Sequence, residues 1–331
     1  MKGGRAKAAE CCGGGAGPQD RVMMFSFLER AGEAVVGILP DRPRIAIKRK
    51  ARMAWERNQF RKADVSVIAH PKSGSTWLRF QLTRLYQKKH GLDEGVIPNV
   101  ESLHGLEPSI PQLYMAGYEY MKQIVARPVP DAELKDKACI FLLRHPIDVT
   151  VSLYFHIQKH AQRERKLFND WPMDLSQTSM MEFVTTSHWG LMEAIGFYNS
   201  CLRHADSMAR AHVVRYEDML ADSEKALAGM ARFIAHPVTD EDIREAVEFT
   251  SFERLRAAEL KNTFNTPRLH AANPDDPNSF KVRRAKSNGY RDYFDAGQIA
   301  ELERMVEQNL DPRAGYGFSQ PAGGSPQDQR R

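Results

Sequence analysis

Disulfide chemistry has little to work with in this chain. Its 331 residues hold four cysteines, Cys11, Cys12, Cys139 and Cys201, with neither a disulfide framework nor metal-ligand spacing among them. A reducing compartment, the cytoplasm, is the simplest fit, and no metal site is expected. Apolar runs of membrane-spanning length are also lacking, and Met1 to Gln19 has no apolar centre of the kind a signal peptide carries. Charge of one sign barely prevails. A formal net charge of +5 and a pI of about 8.9 are too slight to argue for nucleic acid, yet they suit a small polyanionic ligand. What is present in quantity is apolar residue, 42% of the chain, enough for a sizeable core in one large α/β domain with ragged ends.

Composition divides the chain into a disordered lead at 1–22, a basic helical segment at 23–62, a main domain at 63–312 and a disordered tail at 313–331. The adjacent Cys11 and Cys12 are either palmitate acceptors or two exposed thiols. Met23 to Leu39 suits a short helix ended by Pro40. Arg42 to Lys62 then carries nine basic residues against one acid, Glu56, with Trp55 and Phe60 among them. A solvated helical face is the simplest reading, beside an electropositive cover over a site mouth or a peripheral contact with anionic lipid.

The chain is organised around Val65 to Tyr86, VSVIAHPKSGSTWLRFQLTRLY. Val65, Val67 and Ile68 suit a buried strand, and Pro71 and Gly74 punctuate a turn. Ser75 or Thr76 then opens a helix with Leu78, Leu82 and Leu85 on one face. A helix starting there points unpaired N–H groups and its positive dipole end at the turn, which favours a bound anion. The spacing departs from a nucleotide-kinase P-loop, because Lys72 precedes Gly74 instead of following it.

PKSGSTW, Pro71 to Trp77, closely resembles the 5′-phosphosulfate loop of the cytosolic-type sulfotransferases, which take a sulfuryl group from 3′-phosphoadenosine 5′-phosphosulfate (PAPS). Further matches follow in order. Ala138 to His156, ACIFLLRHPIDVTVSLYFH, is similar to the family's Arg-x-Pro-x-Asp-Val-x-Val-Ser segment. The resemblance gives Arg144 and Ser152 the 3′-phosphate, a fit for a planar guanidinium fork and a hydroxyl donor. HVVRYED, His212 to Asp218, resembles the Tyr-Glu-Asp-Met segment and brings Tyr216 to the adenine. Thr250-Ser251-Phe252 matches the family's Thr-Ser-Phe beside the same ring. Phe280 to Phe294, FKVRRAKSNGYRDYF, resembles the Arg-Lys-Gly-x-x-Gly-x-Trp loop and places Arg283, Arg284 and Ala285 around the 3′-phosphate. There Ala285 replaces the first glycine and Tyr290 the tryptophan, and alanine cannot take positive φ cheaply.

The resemblance implies a single P-loop-like α/β domain, with a central parallel β-sheet flanked by helices on both faces and ligands at the carboxyl ends of its strands. It also implies PAPS as donor, no metal, and in-line transfer to a hydroxyl or amine of a small-molecule, lipid or sugar acceptor. Lys72, Ser73, Gly74, Ser75 and Thr76 would hold the 5′-phosphate end, with Lys72 also acting where charge grows on the leaving oxygen. Trp77 and Phe252 would flank the adenine.

Lys88 to Val129 reads as a long irregular insertion, whose Leu106, Ile110, Leu113, Tyr114, Tyr118 and Tyr120 either line an acceptor pocket or pack. The family's Lys-Ser/Thr-His segment, whose histidine is the general base, aligns with Gln123 to Arg127, putting arginine where histidine should stand; arginine is no base. His104 is the favoured replacement, beside the carboxylates Glu101 and Glu107. The alternatives are a PAPS-binding protein with little turnover and, further off, a P-loop nucleotide kinase. His156 and His160 share a helix face as solvated histidines, with no third metal ligand in view. Acceptor identity and oligomeric state are not written in these motifs.

Overall fold

The computed structural model describes residues 37–93, 99–186, 188–264, 269, 280 and 286–317. The chain divides into two units, Met1–Ala51 and Arg52–Arg331. In the first, the described part ends in the opening turns of helix α1, Asp41–Lys62, where Arg44 pairs with Asp41 at 2.7 Å. The expectations for 1–22, for the helix from Met23 up to residue 36, and for 318–331 lie outside the described residues.

Runs rich in Val, Ile, Leu and Phe become a four-stranded sheet in the second unit. Its strands are β1 Val65–Ala69, β2 Leu113–Met115, β3 Ala138–Leu143 and β4 Arg210–Arg215, in the order β2-β1-β3-β4 with every neighbouring pair parallel. All of β3 and nearly all of β1 are buried, as expected where helices cover both faces of a parallel sheet. Strand β4 lies at an edge, and its Arg-Ala-His-Val-Val-Arg sequence leaves Val213 exposed.

The covering helices are α2 Ser75–His90, α3 Tyr118–Val125, α4 Pro146–Lys159 and α5 Leu191–Ser207. They continue with α6 Tyr216–Ala221, α7 Ser223–Ile234, α8 Asp240–Phe249, α9 Phe252–Lys261 and α10 Ala296–Asn309. Alternate β3 side chains enter different cores. Cys139, Phe141 and Leu143 pack with α3, α4, α5 and α10, whereas Ala138, Ile140 and Leu142 pack with α2, α7 and α8.

Register sets where the loops emerge. Ala69 pairs with Leu142 and Leu143 with Arg215, so β1, β3 and β4 end at one level and deliver His70, Arg144 and Tyr216 to the same edge. From β1 the chain moves outward to β2, and from β3 it moves the other way to β4. The gap between the ends of β1 and β3 is therefore a topological switch point, the usual ligand crevice of such sheets.

The stretch from Lys88 to Val129 is not an irregular insertion. It supplies β2 and α3, and Ile110, Leu113, Tyr114 and Tyr120 are core residues, while Leu106 is exposed. Gln123 to Arg127, aligned with the family's base-bearing segment, is helical up to Val125. Tyr120, Met121, Ile124 and Val125 recur at helical spacing and are buried, so the segment forms the end of α3 and its closing turn, where Arg127 pairs with Glu133 at 2.9 Å. Residues 313–317, assigned by composition to a tail, carry two anchors. Ala314 and Tyr316 are buried, and the Tyr316 hydroxyl donates to Glu217 at 2.7 Å.

The single acid of the basic run has a definite use. Glu56 is buried and accepts the Gly117 N–H at 2.9 Å and the Arg52 Nε–H at 2.6 Å, which fixes the turn between β2 and α3. A Cβ at Gly117 would overlap Glu56 Oε1.

Candidate active site

A cavity of about 760 Å³ opens at the carboxyl ends of β1, β3 and β4. Its floor is the turn between β1 and α2. Lys72 (φ 75°) and Gly74 (φ 98°) both take left-handed backbone conformations, turning the chain sharply enough for Gly74 to cap α2. A Cβ on Gly74 would stand 2.5 Å from Tyr216 Cδ2, so the close approach of that ring requires glycine. Ser75, Thr76 and Trp77, the first turn of α2, line the cavity with N–H groups that have no carbonyl one turn earlier to bind.

One wall is aromatic. Trp77 lies edge-on to Tyr216 with ring centroids 5.6 Å apart, and its indole N–H donates to the Thr250 carbonyl at 3.0 Å. Thr250 is buried, and its hydroxyl bonds back to the Ala246 carbonyl at 2.7 Å, leaving Ser251 to cap α9 and Phe252 to open it on the cavity wall. Burial pushes the Tyr216 phenol above its ordinary pKa, against the pull of the Arg144 charge, so it stays neutral.

The other wall is cationic. The Arg144 guanidinium lies over the Tyr216 ring at 4.3 Å and donates through Nη1 to the Lys72 carbonyl at 3.2 Å. Its Nε is buried with no hydrogen-bond partner among the described residues. Ser152, His156, Arg165 and Lys286 complete this side. Asp148 also faces the cavity and accepts the Tyr290 N–H at 2.8 Å, which ties the loop after residue 286 to α4. Burial raises the Asp148 carboxyl above its usual range, with Arg144 opposing.

The sequence-derived residues Lys72, Gly74, Ser75, Thr76, Trp77, Arg144, Ser152, Tyr216, Thr250 and Phe252 therefore meet around one cavity. Two do not. The Ser73 hydroxyl turns inward, 3.0 Å from the Tyr198 hydroxyl, which also accepts the Arg144 backbone N–H at 3.3 Å. His104 sits on a helical turn, Leu103–Leu106, and donates from Nδ1 to the Ile110 carbonyl at 2.7 Å, away from the cavity wall. Its neighbour Leu103 is buried with Val100 and Ile110, which holds that turn against the α2 side of the sheet. The carboxylates considered beside it are engaged elsewhere, Glu101 by Arg79 and Glu107 by the Ser109 N–H at 2.9 Å. Arg283, Arg284 and Ala285 lie outside the described residues.

Motif reading missed Asp148, Arg165 and Lys286, and it missed His156 as a wall residue. His156 is buried and stacks on His160 at 5.6 Å, with Trp171 edge-on to it, so it is not solvated. It also missed a cluster beside the loop, formed by His70, Tyr118, Lys122 and Glu193. The His70 ring is fully buried, with Nε2 2.8 Å from Glu193 Oε2, and Tyr118 donates its hydroxyl to Glu193 Oε1. Among the described residues no group of three His, Cys, Asp or Glu is placed to hold a metal ion.

Residues 62–312 match the sulfotransferase domain family. The chain belongs to the sulfotransferase family. Cytosolic sulfotransferase 14 of Arabidopsis thaliana is 24% identical over 283 residues, covering 77% of this chain and 76% of that protein. Flavonol 3-sulfotransferase of Flaveria bidentis is 20% identical over 267 residues, covering 75% and 81%. A crystal structure of retinol dehydratase in a complex with retinol and PAP shares the fold, with a TM-score of 0.50 at 18% identity over 76% of this chain and 82% of that one. This sulfotransferase is thus of the cytosolic type, an enzyme of the sulfuryl-transfer class. No helix among its described residues is long and apolar enough to cross a membrane.

Proposed function

We propose that this enzyme moves a sulfuryl group from PAPS to a hydroxyl, or an amine, of a small-molecule, lipid-like or sugar acceptor, in the cytoplasm and without a metal. Support for the donor comes first from Arg144. Its buried Nε lacks a partner among the described residues, and a buried guanidinium donor left unmatched is costly unless an anion completes it. The rest of the cavity fits the same ligand. The α2 N-terminus and Lys72 suit a 5′-phosphate, Trp77, Tyr216 and Phe252 suit a purine, and Ser152 and Arg144 suit a 3′-phosphate. The resemblance adds Arg283, Arg284 and the Ala285 N–H at the 3′ end. PAPS supplies the activated sulfuryl group; Lys72 and the loop N–H groups stabilise charge developing on the 5′-phosphate side as it leaves. Retinol in the retinol dehydratase complex and the flavonol of the Flaveria enzyme are apolar bodies carrying hydroxyls, which supports an acceptor of that kind here.

The test is calorimetric titration with 3′-phosphoadenosine 5′-phosphate (PAP), AMP, and ADP with magnesium. PAP is expected to bind best, and Arg144→Ala to weaken PAP by about 10- to 100-fold, the worth of one charge-assisted contact, while changing AMP less than about threefold. Preference for ADP with magnesium, or indifference of PAP to Arg144→Ala, would overturn the reading.

A further inference from the structure

The proposed reaction needs a group to accept the acceptor's proton, and the residues that motif reading offered for it are engaged away from the cavity. The cluster beside the loop does not line that cavity either, but its His70 is bonded to Pro71, which does. His70 is the residue between β1 and the Pro71-Lys72 floor of the cavity. Its Nδ1 lies 2.9 Å from the Pro71 carbonyl oxygen, which only accepts, so Nδ1 carries a hydrogen. Its Nε2 lies 2.8 Å from Glu193 Oε2 and, with the carboxyl ionised, donates to it. Glu193 is thereby fixed one imidazole's width from the Pro71 wall.

The remaining contacts orient the same carboxylate. Tyr118 donates to its Oε1, and the Lys122 ammonium stands 3.7 Å from that oxygen and 4.6 Å from the Trp189 ring. Two hydrogen bonds leave further lone pairs on a carboxylate that can use about four. The Glu193 side chain keeps 13% of its surface open, and the rings of Tyr118, Trp189 and Phe197 gather around it. A flat apolar acceptor would find both a surface to stack on and an acceptor for its hydroxyl proton.

We propose that Glu193, held by His70 and Tyr118, is the general base of this sulfotransferase. In the step, a Glu193 oxygen takes the hydroxyl proton as the acceptor oxygen bonds to sulfur. The bond from sulfur to the 5′-phosphate oxygen breaks, and its electron pair leaves with PAP. The ionisable groups facing Glu193 are His70 from the end of β1 and Tyr118 and Lys122 from α3. Burial raises the Glu193 pKa, but the His70 hydrogen bond and charge, then Tyr118 and Lys122, outweigh it and hold the carboxyl below its ordinary range, so it is ionised near neutrality.

This assignment rests on the PAPS reading, so the experiment separates them. Wild type, Glu193→Gln, Glu193→Asp and His104→Ala are titrated with PAP and assayed with PAPS, using 2-naphthol and a primary alkanol as acceptors. Glu193→Gln should bind PAP within about twofold of wild type, yet lose about 10²- to 10⁴-fold in kcat with little change in KM. Glu193→Asp should recover part of that loss, and His104→Ala should keep full activity. With 4-nitrophenol at alkaline pH, where the acceptor arrives already ionised, Glu193→Gln should lose less than about threefold. Failure of the wild type to bind PAP overturns the donor reading. Normal PAP binding with kcat retained in Glu193→Gln, an equal loss with 4-nitrophenol, or no turnover of either hydroxyl acceptor by the wild type overturns the base.

Discussion

Gly74→Ala tests whether the floor of the cavity is as tightly specified as the structure indicates. Two costs add. An alanine held at φ 98° carries roughly 1–2 kcal/mol of backbone strain. Its Cβ would meet Tyr216 Cδ2 at 2.5 Å, about 1 Å inside ordinary carbon contact, so the ring must move, at an overpacking cost of about 1–3 kcal/mol. The total is about 2–5 kcal/mol. Near 2.1 cal/mol/K per residue over this chain length, that corresponds to a Tm lowered by about 3–7 °C. Tyr216 cannot shift alone, since Trp77 meets its edge and Arg144 covers its face, so PAP affinity should fall at least about tenfold. Gly196→Ala is the comparison. It lies within α5 with open space where a Cβ would go, and should leave PAP binding unchanged and raise stability by up to about 1 kcal/mol. Scanning calorimetry with PAP titration reads both quantities. A Gly74→Ala protein with wild-type Tm and affinity would show that neither the strain nor the Tyr216 contact is real.

Gly117→Ala should destabilise the second unit by about 2–4 kcal/mol, because it pushes the buried Glu56 carboxylate off its N–H partner; in urea titrations, Glu56→Ala in the same chain should make the second substitution cheaper by at least about 1 kcal/mol, and strict additivity would refute the contact. Acid should act through His145. Burial, then the charges of Arg144 and Arg291, lower its pKa from 6.5 to about 3. The unfolded chain therefore binds a proton there that the native chain refuses. Stability is lost as pH falls from 6.5 towards 3, at about 1.4 kcal/mol per pH unit, and is unaffected by this group above 6.5. Urea midpoints at successive pH values should show a shallower acid slope in His145→Gln, and equal slopes would refute the assignment.

Much of the donor side was legible because its information is local. Val65 to Tyr86 and Ala138 to His156 each write strand, turn and helix within about twenty residues, and their side chains reach the cavity through β1 and β3 ending at one level. The acceptor side is written in distant pairs. The three residues of β2 show no strand signal until β1 pairs with them, and the role of Gly117 depends on a glutamate 61 positions earlier. His70 and Glu193 are 123 positions apart, so no motif contains both. A faint signal was available: Glu193 is a lone acid among Trp189, Leu191, Ile195 and Phe197, a helix start otherwise built for burial. His104 was chosen by residue type alone, and type says nothing of where a side chain points.

The Tyr198 hydroxyl bonds the Ser73 side chain on one side and the Arg144 backbone on the other. Burial keeps the phenol neutral, so the link does not change with ordinary pH. It works as a caliper: the loop after β1 and the arginine after β3 are locked to one spacing before any ligand arrives. The ordering of these two grips is thus part of folding, and a ligand whose anionic ends match the gap binds without first having to set it.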